Sequence, residues 1–273
     1  MTIAAGATVG AVQAALPLDP LENRILLCHA LGLTRVGLIT QSHRALSAAE
    51  ADALNALVAR REAGEPIAYI VGKREFFGLD FGVTDAVLIP RPDTELLVER
   101  ALERLPQGAS VLDMGTGSGA IAVAIAHTRP DAQVTALDAS AGALAVARAN
   151  AAANGAKVRF LHSDWYAALA GETFGLIVSN PPYIASGDAH LSEGDLRFEP
   201  VSALTDHADG LSALRIIVAG AAAHLAPGAW LLLEHGYDQA AQVRALLADH
   251  RFAQAQSWRD LAGIERVSGG TRG

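Results

Sequence analysis

Ser110-Val111-Leu112-Asp113-Met114-Gly115-Thr116-Gly117-Ser118-Gly119 reads as a buried strand running straight into a glycine loop. Ile121, Val123, Ile125 and Ala126 then give that loop a helix to open. A strand, a glycine turn and a helix N-terminus together let backbone approach a ligand closely at the positive end of the helix. Outward from this unit the alternation continues. Residues 133–138, 158–161, 174–179 and 230–234 are short strand-like runs. Helices are expected from Asp138 to the Asn154-Gly155 stop, over 211–225 and over 239–247, and two last strands over 253–258 and 265–268. Such alternation predicts an α/β fold, a doubly wound sheet built from parallel βαβ units.

Asn180-Pro181-Pro182-Tyr183 closes the run 174–179 and so falls at a carboxyl end, where ligands of open α/β sheets bind. The Asn180 carboxamide oxygen and the Pro181 carbonyl are both hydrogen-bond acceptors. Neither Pro181 nor Pro182 has an N–H to compete for them, and their locked φ holds the carbonyls in place. Two fixed acceptors beside the Tyr183 ring suit a planar, conjugated amino group with two N–H bonds to offer. A side-chain amide and the exocyclic amine of a nucleic-acid base both fit that description.

Asp138 ends the strand after the glycine loop, where an acid can accept two ribose hydroxyls. A nicotinamide dehydrogenase would share this feature. Here, however, the glycines are spaced G-x-G-x-G, and Asp113 precedes them by two residues. An acid there repels a pyrophosphate and favours the amino and sulfonium charges of S-adenosylmethionine. Asp164-Trp165, at the next strand end, offers an acceptor and an aromatic wall for adenine.

At 273 residues the chain has room for one large domain and a smaller one. A net charge of −8 weighs against a basic nucleic-acid footprint. The single Cys28 fits a reducing compartment. With no basic leader and no apolar run of spanning length, the expectation is a cytoplasmic protein without membrane contact. Residues 1–72 read as a helical domain. Leu21, Ile25 and Cys28 are expected on one buried face, Ala51, Leu54, Leu57 and Val58 on another, with Ser47 and Glu50 forming a capping box. The Cys28-His29 pair is expected in the core rather than on a metal. Residues 73–89 read as a linking β-hairpin turning at Gly78-Leu79-Asp80. The segment Arg91-Pro92-Asp93-Thr94-Glu95 has a helix-start signal, yet its charged cluster leans towards a site role.

Asp113 to Gly119, Asp138 and Asn180-Pro181-Pro182-Tyr183 resemble class I S-adenosylmethionine-dependent methyltransferases of the N-P-P-Y branch. Ile89-Pro90-Arg91-Pro92-Asp93-Thr94-Glu95, Ser163-Asp164-Trp165, Leu233-Glu234-His235-Gly236 and Glu265-Arg266-Val267 narrow the likeness. Together they resemble the bacterial family that methylates N5 of the glutamine in the Gly-Gly-Gln motif of peptide chain release factors. That resemblance implies a Rossmann-like seven-stranded sheet with a final antiparallel strand inserted beside the fifth. It implies a catalytic domain over 90–273 and substrate recognition by 1–72. It implies that Gly115, Thr116, Gly117, Ser118, Gly119, Asp138, Trp165 and Asn180 contact S-adenosylmethionine, leaving S-adenosylhomocysteine as product. Asn180, Pro181, Pro182 and Tyr183 are expected to hold the glutamine, with Asn180, Pro181 and Tyr183 the catalytic residues. A monomer that takes release factors and no nucleic acid is the expected form.

Overall fold

The computed structural model describes residues 2–273, in two units that meet in sequence at Gly72 and Lys73. The first is helical: α1 Val9–Ala15, α2 Pro20–Leu31, α3 Arg35–Thr40, α4 Ala48–Glu62 and α5 Ile67–Val71. Asp19 caps α2 ahead of Pro20, whose missing N–H costs nothing at that position. The capping box of α4 is present, with the Glu50 amide donating to Ser47 Oγ and the Ser47 amide donating to Glu50 Oε2.

Ala51, Leu54 and Val58 are buried as expected, but α2 is rotated from the face read off its sequence. It buries Asn23, Leu26 and Leu27, whereas Leu21 is exposed and Ile25 and Cys28 are half-covered. The reason is polar. Asn23 Nδ2 donates to the Leu16 and Leu18 carbonyls at 3.1 and 3.2 Å, so an amide rather than an aliphatic side chain sits inside. His29 is exposed rather than packed in the core.

The second unit opens with the hairpin β1 Lys73–Phe76 and β2 Leu79–Gly82. Its turn is Phe77-Gly78, both at positive φ, so Leu79 already pairs with Phe76 and the turn lies earlier than expected. The hairpin belongs to this unit rather than standing between two. Phe76 and Phe81 are fully buried in its core, and Asn150 brackets Gly82, accepting from its amide at 2.7 Å and donating to its carbonyl at 2.9 Å.

The chain continues through α6 Glu95–Arg104, β3 Ser110–Met114, α7 Ala120–Thr128, β4 Gln133–Asp138, α8 Ala141–Ala153, β5 Val158–His162 and β6 Phe174–Ser179. It ends with α9 Val201–Leu204, α10 Ser212–His224, β7 Leu225–Glu234, α11 Ala240–Asp249, β8 Phe252–Arg259 and β9 Glu265–Arg272. The seven strands lie in the order β5-β4-β3-β6-β7-β9-β8, parallel except for β9, which is antiparallel to both neighbours. Alternate residues of β3 enter two cores. Val111 packs with α6 and α7 residues such as Leu97 and Val123, and Leu112 and Met114 pack with α10 residues such as Leu214 and Ile217. Strand order reverses between β3 and β6, and this opens a crevice at their carboxyl ends. Among the described residues no helix is long and apolar enough to cross a membrane.

Candidate active site

A cavity of about 690 Å³ occupies that crevice, within the range of small-molecule sites. Gly115, Thr116, Gly117 and Ser118 form one wall. Asp138 stands over them at the end of β4, and its two carboxylate oxygens accept the Gly117 amide at 2.9 Å and the Ser140 amide at 2.8 Å. A carboxylate has about four acceptor sites, so this anchoring leaves lone pairs for a ligand's hydroxyls. Asp164 and Trp165 line the same cavity. Ser163 shapes their turn, donating from Oγ to the Trp165 carbonyl at 2.7 Å while accepting the Ala168 amide at 3.0 Å. Trp165 takes a left-handed φ of 42° there, and packs on the core as well as facing the cavity.

Two expectations change. Gly119 does not line the cavity. A Cβ on it would meet the Ala147 Cβ at 3.1 Å, so this glycine lets the start of α7 pass close to α8. Asp113 is fully buried beneath the loop and also absent from the lining. Side chains alternate along a strand, which turns Asp113 to the same side as Val111, towards α7. There it accepts the Thr116 hydroxyl at 2.6 Å and so holds the loop from below. Burial pushes its carboxyl up to about 7, against the hydrogen bonds of Thr116 and the Ala122 amide and with Asp138 adding to the rise.

The native carboxyl keeps its proton above the pH at which the unfolded one loses it, so stability falls as pH rises from about 4 through about 7. Asp113→Asn is expected to flatten that slope, up to about 4 kcal/mol over the interval, as read by urea unfolding at a series of pH values.

Asn180 and Pro182 line the opposite end of the cavity together with Arg91, Thr94 and a segment including Thr205, Asp206 and His207. Asn180 Nδ2 donates to Thr94 Oγ1 at 3.2 Å, which leaves its carboxamide oxygen for other partners. Pro181 is buried and Tyr183 stands behind the lining. The Tyr183 hydroxyl donates to Glu234 Oε1 at 3.3 Å. Burial and the neighbouring Glu234 raise the Tyr183 pKa well above its ordinary value, so it remains a neutral phenol. The Tyr183 carbonyl accepts Gln239 Nε2 at 3.0 Å, and the same nitrogen donates to the Gly210 carbonyl at 3.1 Å. Ser179 Oγ donates to the Met114 carbonyl at 2.7 Å and ties the base of the turn to β3.

The charged cluster before α6 divides. Arg91 and Thr94 face the cavity, but Glu95 accepts the Phe77 amide at 3.0 Å and holds the hairpin turn instead. Arg91 pairs with Glu199, whose side chain is fully buried and whose other oxygen accepts the Ile89 amide at 2.9 Å. Glu199, Gly210 and Gln239 carry no local pattern that marks them in the sequence, whereas Glu234 stands there within Leu233-Glu234-His235-Gly236 without an assigned role. Their partners lie far along the chain.

The strand order and the glycine loop at the switch point define the fold of a class I methyltransferase. A solved 16S rRNA N2 G1207 methyltransferase from T. thermophilus, in complex with AdoMet and guanosine, matches with a TM-score of 0.54 and 25% identity, over 74% of this chain and 50% of that one. The models of the methyltransferase small domain and of the PrmC N-terminal domain match residues 92–195 and 11–72. The release factor glutamine methyltransferase of Burkholderia pseudomallei is 60% identical over 97% of this chain and 96% of its own length. That of Bordetella pertussis is 56% identical over 93% and 95%. The chain belongs to the release factor glutamine methyltransferase family.

Proposed function

We propose that this protein transfers a methyl group from S-adenosylmethionine to the side-chain amide nitrogen (N5) of the glutamine in the Gly-Gly-Gln motif of peptide chain release factors, in the cytoplasm where they act. The observation that carries this reading is the Asn180 carboxamide, anchored through its nitrogen on Thr94 so that its oxygen is left to accept. The cavity's donor set fits the cofactor. Gly115 to Ser118 offer close backbone, Asp138 hydroxyl acceptors, and Asp164 and Trp165 an acceptor and a wall for adenine. Bound there, S-adenosylmethionine supplies a methyl group on a positively charged sulfur.

The chain's own contribution is orientation. An amide nitrogen is a poor nucleophile because its lone pair is shared with the carbonyl. Asn180 Oδ1 and the Pro181 carbonyl accept its two hydrogens, and Tyr183 backs the turn that presents them. Two neutral hydrogen bonds add about 1 kcal/mol each in net stability. Correct placement of reacting groups is worth about 7–11 kcal/mol, so geometry dominates. Co-expression with a release factor followed by mass spectrometry tests the assignment. One added methyl on the Gly-Gly-Gln glutamine supports it, and methylation of nucleic acid instead refutes it.

Residues 1–72 are assigned to recognition of the protein substrate. Val36 and Ile39, one turn apart on α3, are 67% and 75% exposed, an apolar pair suited to a protein contact. Ile39→Asp is expected to raise KM for intact release factor about tenfold at unchanged cofactor affinity. An unchanged KM assigns recognition elsewhere.

A further inference from the structure

Gln239 stands at the N-cap of α11 and is 8% exposed, yet its carboxamide bonds three backbone groups outside that helix. Oε1 accepts the Gly236 amide at 2.8 Å. Nε2 donates to the Tyr183 carbonyl at 3.0 Å and to the Gly210 carbonyl at 3.1 Å. A carboxamide nitrogen carries two hydrogens, and here both are used.

Backbone groups cannot exchange roles, since an amide only donates and a carbonyl only accepts. The Gly236 amide therefore demands the oxygen of Gln239, and the two carbonyls demand its nitrogen, which bars the flipped carboxamide. Gly236 is itself held. Its carbonyl accepts the Gln239 amide at 3.1 Å and the Nδ1–H of the fully buried His235 at 2.8 Å. Resting on the amide-methylation reading above, we propose that Gln239 is a positioning residue, which clamps the Asn180–Tyr183 turn to the segment 204–210 and so sets where the acceptor amide lies.

Neighbouring bonds carry the clamp to the cavity. The Ile184 amide donates to the Leu204 carbonyl and the Ser186 amide to the Ala208 carbonyl, both at 3.0 Å, so 184–186 runs beside 204–208. Within that partner segment Thr205, Asp206 and His207 line the cavity. The Asp206 carboxylate accepts the amides of Ala208, Gly210 and Ser212 at 2.9, 3.0 and 2.7 Å, which holds the segment in shape. Gln239 closes the pair at Gly210, where the backbone comes so near that a Cβ would sit 2.9 Å from Nε2. Pro181 and Pro182 stiffen the chain between Tyr183 and Asn180, so a displacement of the Tyr183 carbonyl passes on to the two acceptors.

The test compares Q239M, N180A and the double variant Q239M/N180A with the wild type, using release factor and labelled S-adenosylmethionine. Q239M keeps the length of the side chain and removes its donors. It is expected to lower kcat about 10- to 100-fold, with cofactor Kd and release-factor KM within about threefold of wild type. The double variant should lose less than the product of the two single losses, because both act on the same pair of acceptors. Losses that multiply in full mark a merely structural role and overturn the inference, as does an unchanged kcat in Q239M. A loss that appears in KM or cofactor Kd rather than in kcat overturns it too. Should Q239M not fold, Q239E decides by the same split of kcat from KM and Kd, since it keeps the shape and the acceptor facing Gly236 while removing the NH2. A wild type that leaves the release-factor glutamine unmodified sinks the underlying reading, and is thus told apart from a failed clamp.

Discussion

Asn180→Ala is expected to lower the rate of methyl transfer by about 10²–10³, while cofactor affinity changes by less than about tenfold. Alanine removes the oxygen that accepts one amide hydrogen and also the nitrogen held by Thr94. The backbone φ of the following residue stays fixed, because Pro181 and Pro182 set the turn without help from the side chain. The loss should therefore fall on catalysis and not on folding. Single-turnover kinetics at saturating cofactor separate the two, and near-normal turnover in a variant that still binds cofactor would remove the amide-holding role.

Gly210→Ala is the second large effect, and it acts from outside the cavity. A Cβ at residue 210 would sit 2.4 Å from the Tyr183 carbonyl oxygen and 2.9 Å from Gln239 Nε2, with φ at +79°. The left-handed conformation costs about 1–2 kcal/mol, and displacing backbone in a packed place about 1–3 kcal/mol more. The atom pushed aside is in the Asn180–Tyr183 turn, so activity should fall along with stability. Gly228→Ala is the matched control. Its φ is +75°, but nothing lies within 4 Å of its Cβ position, so it should show the conformational cost alone and full activity. Equal losses in the two variants, read by denaturant midpoint and initial rate, would show that close approach at residue 210 is irrelevant.

The parts legible in the sequence are those whose causes are local. The glycine loop, the strand ending at Asp138 and the proline-closed turn each combine a strand, a breaker and a polar residue within a few positions, and the cavity gathers Gly115, Asp138, Trp165 and Asn180. The capping box at Ser47 was equally readable because its two partners are three residues apart. What escaped has causes elsewhere in the chain. Asn180 meets Thr94 across 86 residues, Gln239 meets Tyr183 across 56, and Glu199 meets Ile89 across 110. The rotated face of α2 escaped for another reason, since a buried amide imitates a surface residue in any hydrophobic pattern. Gly119 and Asp113 stand apart from the cavity wall, because neither a glycine's spacing nor an acid's charge says which way the residue faces. One of them serves helix packing and the other supports the loop from beneath.

Strand β9 joins β8 to the rest of the sheet, since among the described residues β8 pairs with no other strand. Any fluctuation that detaches β9 from β7 must therefore carry β8 away with it, whereas β8 can peel off alone. Peeling β8 exposes the amide hydrogens bonded between β8 and β9, whereas release of the β8–β9 pair as a unit exposes those between β7 and β9, so deuterium exchange should read the far edge of the sheet as two separable local openings.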